Sequence, residues 1–200
     1  MNELDYFFKL QIKLQKAFVS VISEGIDKTP TEGSTDAWFR KLLRGNYNSF
    51  SFPIVFRQDT GYKYPDIMST KTACLFLISE KLANFMIAQE MTGFKLFNVI
   101  AFDKKGEEPF KYYGLSITGV CGSVNFEKST QFKKFDIQGN ERNYYKGFPI
   151  DLSKWDGSDL FLPEGNDSII ITEKVAEKFA ALKLINFVPT RLSEWEMNFG

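Results

Sequence analysis

The sequence predicts an α+β fold, with a mixed, largely antiparallel sheet and two strand–helix–strand pseudo-repeats, at about 76–97 and 169–189, packed into one core. Three observations predict it. Aromatic residues make up 16% of the 200 residues, and aromatics suit the pleated, half-buried surface of strands. Several short runs alternate apolar and polar residues with period two, which puts one face of a strand in a core. One segment also recurs at an offset of 93 residues: Leu77-Ile78-Ser79-Glu80-Lys81-Leu82-Ala83 reappears as Ile170-Ile171-Thr172-Glu173-Lys174-Val175-Ala176.

Taken in order, Phe8 to Gln15 alternates without a miss and places Phe8, Leu10, Ile12 and Leu14 on one strand face. A single helix from Leu4 to Ile22 is the competing reading, because no turn residue interrupts that stretch. Residues 25–36 are turn formers and polar residues, hence a loop. Asp36 then caps a short helix through Leu43, with Trp38 and Leu42 inward, Leu43 beside them and Gly45 ending it. Phe50 to Phe56 reads as a strand, and Pro53, which lacks a backbone donor, requires it to lie at an edge or to start late.

Each recurring unit has legible chemistry. An apolar strand delivers Ser79 or Thr172 to the N-cap of a helix, and Glu80 or Glu173 occupies the first turn, where a carboxylate meets the positive helix end. Apolar residues follow at helical spacing, and Gly93 and Asn186 suit a left-handed C-terminal position. Between the units, Leu96–Phe102 and Tyr113–Val120 read as strands around a polar loop, and Gly139-Asn140 marks a further turn. Gly119-Val120-Cys121-Gly122-Ser123 is small enough to form a bulge or turn, or to let a ligand approach. No linker separates the halves, so residues 1–200 are expected to form a single domain.

Composition narrows the chemistry. Twenty-five basic residues balance 25 acidic ones, which argues against general nucleic-acid binding. No stretch is long and apolar enough for a membrane span, and the N-terminus lacks a secretory pattern, so the cytoplasm is expected. Histidine is absent, which removes the usual general base, the Ser-His and Cys-His dyads and most zinc sites. Cys74 and Cys121 read as buried thiols, with a disulfide as the alternative, and no metal or cofactor is expected. Asp151, Asp156, Asp159, Glu164 and Asp167 crowd into one segment. The plainer reading of this segment is a solvated loop; the functional one is an acidic patch in which Trp155 and Phe161, with Asp156 and Asp159, dock a basic partner. Glu127 to Phe135 reads as a solvated edge strand.

The order of these elements resembles a family of bacterial polymorphic-toxin immunity proteins, the Myxococcus-type immunity family eleven, formerly a domain of unknown function. The resemblance covers residues 50–190. It rests on the two units, on Pro65-Asp66-Ile67 before the first, on Phe126-Glu127-Lys128-Ser129, and on Trp155-Asp156-Gly157-Ser158-Asp159-Leu160-Phe161. Thr172 and Asn186 depart from the family's serine and glycine. The resemblance implies a small intracellular protein that binds and neutralises a cognate toxin; stoichiometric binding by a monomer or weak homodimer is expected. A histidine-free, carboxylate-dependent enzyme acting on a small ligand and a structural, self-associating protein are the alternatives.

Overall fold

The computed structural model describes residues 2–24, 36–72, 75–135 and 139–198. The expected loop at 25–36 falls almost wholly outside these residues, as does Cys74, and so does the side chain of Trp38. The architecture is mixed α+β, dominated by sheet, with few helices and mixed strand directions.

A 3-10 turn at Glu3–Tyr6, capped by Asn2, leads into strand β1 (Phe7–Ile12). Strand β2 (Ser20–Ser23) and helix α1 (Asp36–Leu43) follow, then β3 (Ile54–Thr60), β4 (Ile67–Ser69) and β5 (Phe76–Ser79). Next come helix α2 (Glu80–Ala88), β6 (Phe94–Phe102), β7 (Tyr112–Ile117), β8 (Gly119–Cys121), β9 (Thr130–Phe135) and β10 (Glu141–Lys146). The chain continues through β11 (Leu160–Pro163), β12 (Ile170–Thr172), helix α3 (Glu173–Ala181), β13 (Phe187–Arg191) and β14 (Glu196–Asn198). Among the described residues no helix is long and apolar enough to cross a membrane.

Six strands close into a barrel in the order β2-β3-β6-β7-β5-β4. Val21, Ile54, Phe56, Leu77 and Val99 fill it, and α1 adds Phe39 and Leu42. A five-stranded sheet, β13-β1-β12-β11-β8, stands beside the barrel, and a three-stranded sheet, β14-β10-β9, lies beyond it. In both main bodies the two strands joined by a helix do not pair with each other. β7 lies between β5 and β6, antiparallel to both, and β1 lies between β12 and β13, antiparallel to both.

The buried apolar residues divide among three clusters rather than one. The barrel interior is the first. The second is a layer shared by α2, α3, the outer face of the barrel (Ile78, Leu115) and one face of the five-stranded sheet (Phe8, Leu10, Leu160, Ile171). The third lies on that sheet's other face, where Phe7, Phe161 and Ile170 meet Phe148, Leu192 and Met197. Burial on both faces explains why Leu160-Phe161-Leu162 and Ile169-Ile170-Ile171 are unbroken apolar runs.

Several expectations change here. The N-terminal segment is a strand, not a helix from Leu4 to Ile22, and its alternation stops at Ile12, since Leu14 is 77% exposed. β3 begins at Ile54, immediately after Pro53. The expected strand Tyr113–Val120 is broken at Thr118, because the amides of Thr118 and Gly119 both donate to the Gly93 carbonyl, at 2.8 and 3.1 Å. That fork steers the chain from barrel to sheet. β9 is an exposed edge strand. Asn186 is not left-handed; Glu90 and Lys183 take that conformation after the two helices. The Asn186 side chain instead mimics a pairing strand, accepting from Ile67 N at 3.2 Å and donating to Ile67 O at 2.6 Å.

Two buried carboxylates join the bodies reciprocally. Asp66, just before β4, accepts from the Ser79 hydroxyl at 3.1 Å and from the amide of Ile185, beyond α3, at 3.0 Å. Asp159, just before β11, accepts from the amide and hydroxyl of Thr92, beyond α2, at 3.0 and 3.3 Å. Each body thus satisfies the backbone that follows the other's helix. An ionised group this buried is tolerated only when so bonded. Replacing Asp66 by Ala strands the Ile185 amide and the Ser79 hydroxyl. Urea denaturation at neutral pH is expected to show a loss of about 2–3 kcal/mol.

Candidate binding site beside Trp155

The segment from Asp151 to Asp159 is held by its own short side chains. Asp151 caps a 3-10 turn at Leu152–Lys154, accepting from the Ser153 amide at 3.0 Å and its hydroxyl at 2.6 Å. Those two bonds, the hydroxyl first, hold its carboxyl below the ordinary carboxylate range. Asp156 accepts from the Ser158 amide at 3.0 Å and hydroxyl at 2.5 Å, and from the Val120 amide at 3.1 Å. Desolvation pushes the Asp156 carboxyl up, but these donors outweigh it and the net direction is down.

Two glycines let this segment lie flat on β8. A Cβ at Gly119 would fall 1.9 Å from the Ser158 hydroxyl, and one at Gly122 would fall 2.6 Å from Asp151 Cβ. The small-residue run at 119–123 therefore admits the Trp155 loop. With the loop seated, the Trp155 indole nitrogen donates to the Ser158 carbonyl at 3.1 Å. Its ring packs edge-on against Phe7 with centroids 5.2 Å apart, and at a tilt against Phe161 at 5.6 Å. Trp155 is fixed by both its polar atom and its faces.

In front of it opens a cavity of about 420 Å³. Leu152 and Trp155 form one wall, Thr172, Glu173 and Lys174 at the start of α3 form another, and Glu3, Tyr6 and Phe7 complete it. Two carboxylates line the space against one ammonium group. Lys174 also leans toward Asp159 at 3.4 Å, and Glu173 is approached by Arg191 at 3.4 Å. Aromatic side chains beside Glu3, which has no ion pair among the described residues, suit a cationic guest.

The two helix starts differ at their hydroxyls. Ser79 caps α2, accepting from Leu82 N at 3.3 Å while donating to Asp66. Thr172 occupies the N-cap position of α3 but makes no cap bond, and its buried hydroxyl oxygen has no hydrogen-bond partner. Asp159 does not take up the Thr172 hydroxyl as Asp66 takes up that of Ser79; its carboxylate accepts from Thr92. Glu80, on the barrel side, faces Lys111 at 3.6 Å.

Of the four residues expected to meet a partner, only Trp155 lines the cavity. Phe161 is fully buried, and Asp159 is buried and bonded to Thr92. Asp156 is exposed, yet one oxygen is bonded to Ser158 in the loop and the other to the Val120 amide on β8. These three build the seat in which Trp155 sits. Sequence reasoning missed Glu3, Tyr6 and Lys174, which carry no local signal because only the pairing of β1 with β12 brings residues 3–7 to α3. Cys121 is a buried free thiol pushed up to about 12, by burial first and then by Asp151 and Asp156, so at neutral pH it is no nucleophile. Among the described residues no group of three or more His, Cys, Asp or Glu is placed to hold a metal ion.

No family model matches this chain, and no curated protein matches it.

The Asp156 carboxyl is depressed in the folded state, so its contribution is complete above the unfolded value of about 3.9 and is lost as pH falls through the folded one. Asp156→Asn is therefore expected to be less stable than the parent at pH 6. The two urea midpoints should converge as pH drops from about 4 to about 2.

Proposed function

We propose that this protein acts by stoichiometric binding, as an immunity-type protein of the cytoplasm that neutralises a cognate bacterial toxin. The observation that carries the reading is the cavity beside Trp155: a rigid aromatic wall, a second aromatic at Tyr6, and the carboxylates of Glu3 and Glu173. Such a pocket fits a lysine or arginine side chain, the kind of central anchor that dominates protein interfaces. A surrounding contact of standard size, roughly 1,600 Å² in total, would cover a toxin's active site or distort it. The histidine-free composition and the resemblance to immunity proteins point the same way.

In the same reading, β5-α2-β6 and β12-α3-β13 are the two copies of a pseudo-repeat. Asp66 and Asp159, Ser79 and Thr172, and Lys81 and Lys174 each stand 93 residues apart. The copies diverge at the Thr172 hydroxyl, which is buried without a partner in a residue that borders the cavity, whereas Ser79 is fully engaged. Function is assigned to the copy that has given up its cap.

One observation favours a second reading. Glu3 and Glu173 come from distant segments to line one cavity, an arrangement that a carboxylate-dependent enzyme acting on a small ligand also needs. Turnover of a substrate by the purified chain, abolished in Glu173→Gln, would establish that reading.

The deciding experiment is co-expression and pull-down with the toxin encoded beside this chain. The parent is expected to protect cells and co-purify in equimolar amount. Trp155→Ala and Tyr6→Ala are each expected to weaken binding by about 30-fold, which corresponds to about 2 kcal/mol. Full affinity in both variants would move the interface elsewhere, and no binding by the parent would remove the function.

A further inference from the structure

We propose that the cavity beneath the connection from β1 to β2 binds a small anionic amphiphile, with its carboxylate or phosphate head held by Lys13 and Lys16 and its apolar body laid against Ile12, Val19 and Ile67.

The cavity follows from how the chain leaves the five-stranded sheet. β1 ends at Ile12, and the Lys13 amide makes its last bond to that body, donating to the Asn186 carbonyl at 2.8 Å. The chain then crosses to the barrel, where Phe18 bridges to Lys63 and the Val19 amide donates to the Lys63 carbonyl at 2.8 Å. Under the crossing lies a space of about 480 Å³, within the range of small-ligand sites. No side chain of the connection fills it: Leu14 borders the space and is 77% exposed.

The lining is apolar below and cationic above. Val19 and Ile67 are buried, and the hydroxyls of Ser20 and Thr60 satisfy each other at 2.7 Å, so that part of the wall makes no demand on a ligand. Lys13, Lys16 and Lys71 border the cavity and no Asp or Glu does, in a chain whose formal net charge is zero. Lys71 is paired with Asp59. Among the described residues Lys13 and Lys16 have no ion pair. The local charge is therefore opposite to that of the Trp155 cavity.

This combination selects an amphiphile. A bare anion gains only exposed ion pairs, which are weak. A neutral chain gains only buried area and leaves the two ammonium groups uncompensated. A molecule with both parts displaces water from the apolar floor and places its charge at the mouth.

Calorimetric titration of the full chain with decanoate, decyl phosphate, decyltrimethylammonium and inorganic phosphate, all below micellar concentration, tests the site. Saturable binding of decanoate or decyl phosphate at one per chain is expected, weakening as salt rises, and the tighter of the two identifies the head. Lys13→Ala/Lys16→Ala, which alters only exposed side chains, is expected to bind at least tenfold more weakly. Lys104→Ala/Lys105→Ala, which removes two exposed ammonium groups between β6 and β7 and outside both cavities, should bind as the parent does. The proposal is overturned by no saturable binding of either amphiphilic anion or by unchanged affinity in the double variant. Equal affinity for decyltrimethylammonium or for inorganic phosphate overturns it as well.

Discussion

The exchange of carboxylates between barrel and sheet is the constraint on which the rest of the architecture hangs. Asp66 and Asp159 each sit at the entrance to a strand of one body and accept from the backbone beyond the other body's helix. Both are buried, and each takes hydrogen bonds from the opposite body as well as from its own. Apolar layers can slide; hydrogen bonds to a buried charge cannot. The shared layer around α2 and α3 provides the area, and the two carboxylates fix the register.

From Asp159 a continuous path of bonds reaches the cavity beside Trp155. The carboxylate holds Thr92; the next residue, Gly93, uses its carbonyl to fork the chain at Thr118 and Gly119. That fork sets the start of β8, and the Val120 amide on β8 binds Asp156. Asp156 in turn holds Ser158, whose carbonyl receives the Trp155 indole. The aromatic wall is thereby referred to the centre of the molecule, although it lies on a surface loop. For the proposed guest, the surface beside Trp155 would be one whose ordering is completed in folding, which would reduce the entropy lost on association.

Much of this was legible in the residues, and the failures have a common cause. The period-two face of Phe8, Leu10 and Ile12, the helix opened by Asp36, the late strand after Pro53 and the two Ser/Thr-Glu helix starts all depend on neighbours in sequence. What escaped depends on neighbours in space. Asp159 and Phe161 look, as a pattern, like an acidic and aromatic patch, but an Asp beside a Phe is equally the signature of a latch entering a buried strand. Thr172 carries the same local signal as Ser79, yet Ser79 caps its helix and bonds Asp66 while the Thr172 hydroxyl does neither. Asn186 stands where glycine would suit a turn, yet its amide group serves as a substitute rung for Ile67.

The placement of β1 also bears on how the molecule comes into being. Its partners are β12 and β13, so the ladder it completes cannot close until residues 170–191 have been made. At a translation rate of about 5–20 residues per second, Phe7, Phe8 and Leu10 wait on the order of ten seconds or more beside a ribosome. During that interval the barrel strands can find one another, while the first apolar strand has nowhere native to go. Newly made chains can therefore pass through a stage in which the barrel strands have paired while β1 still lacks both of its partners. At that stage holdase chaperones have a ready target, and two nascent copies could trade their leading strands.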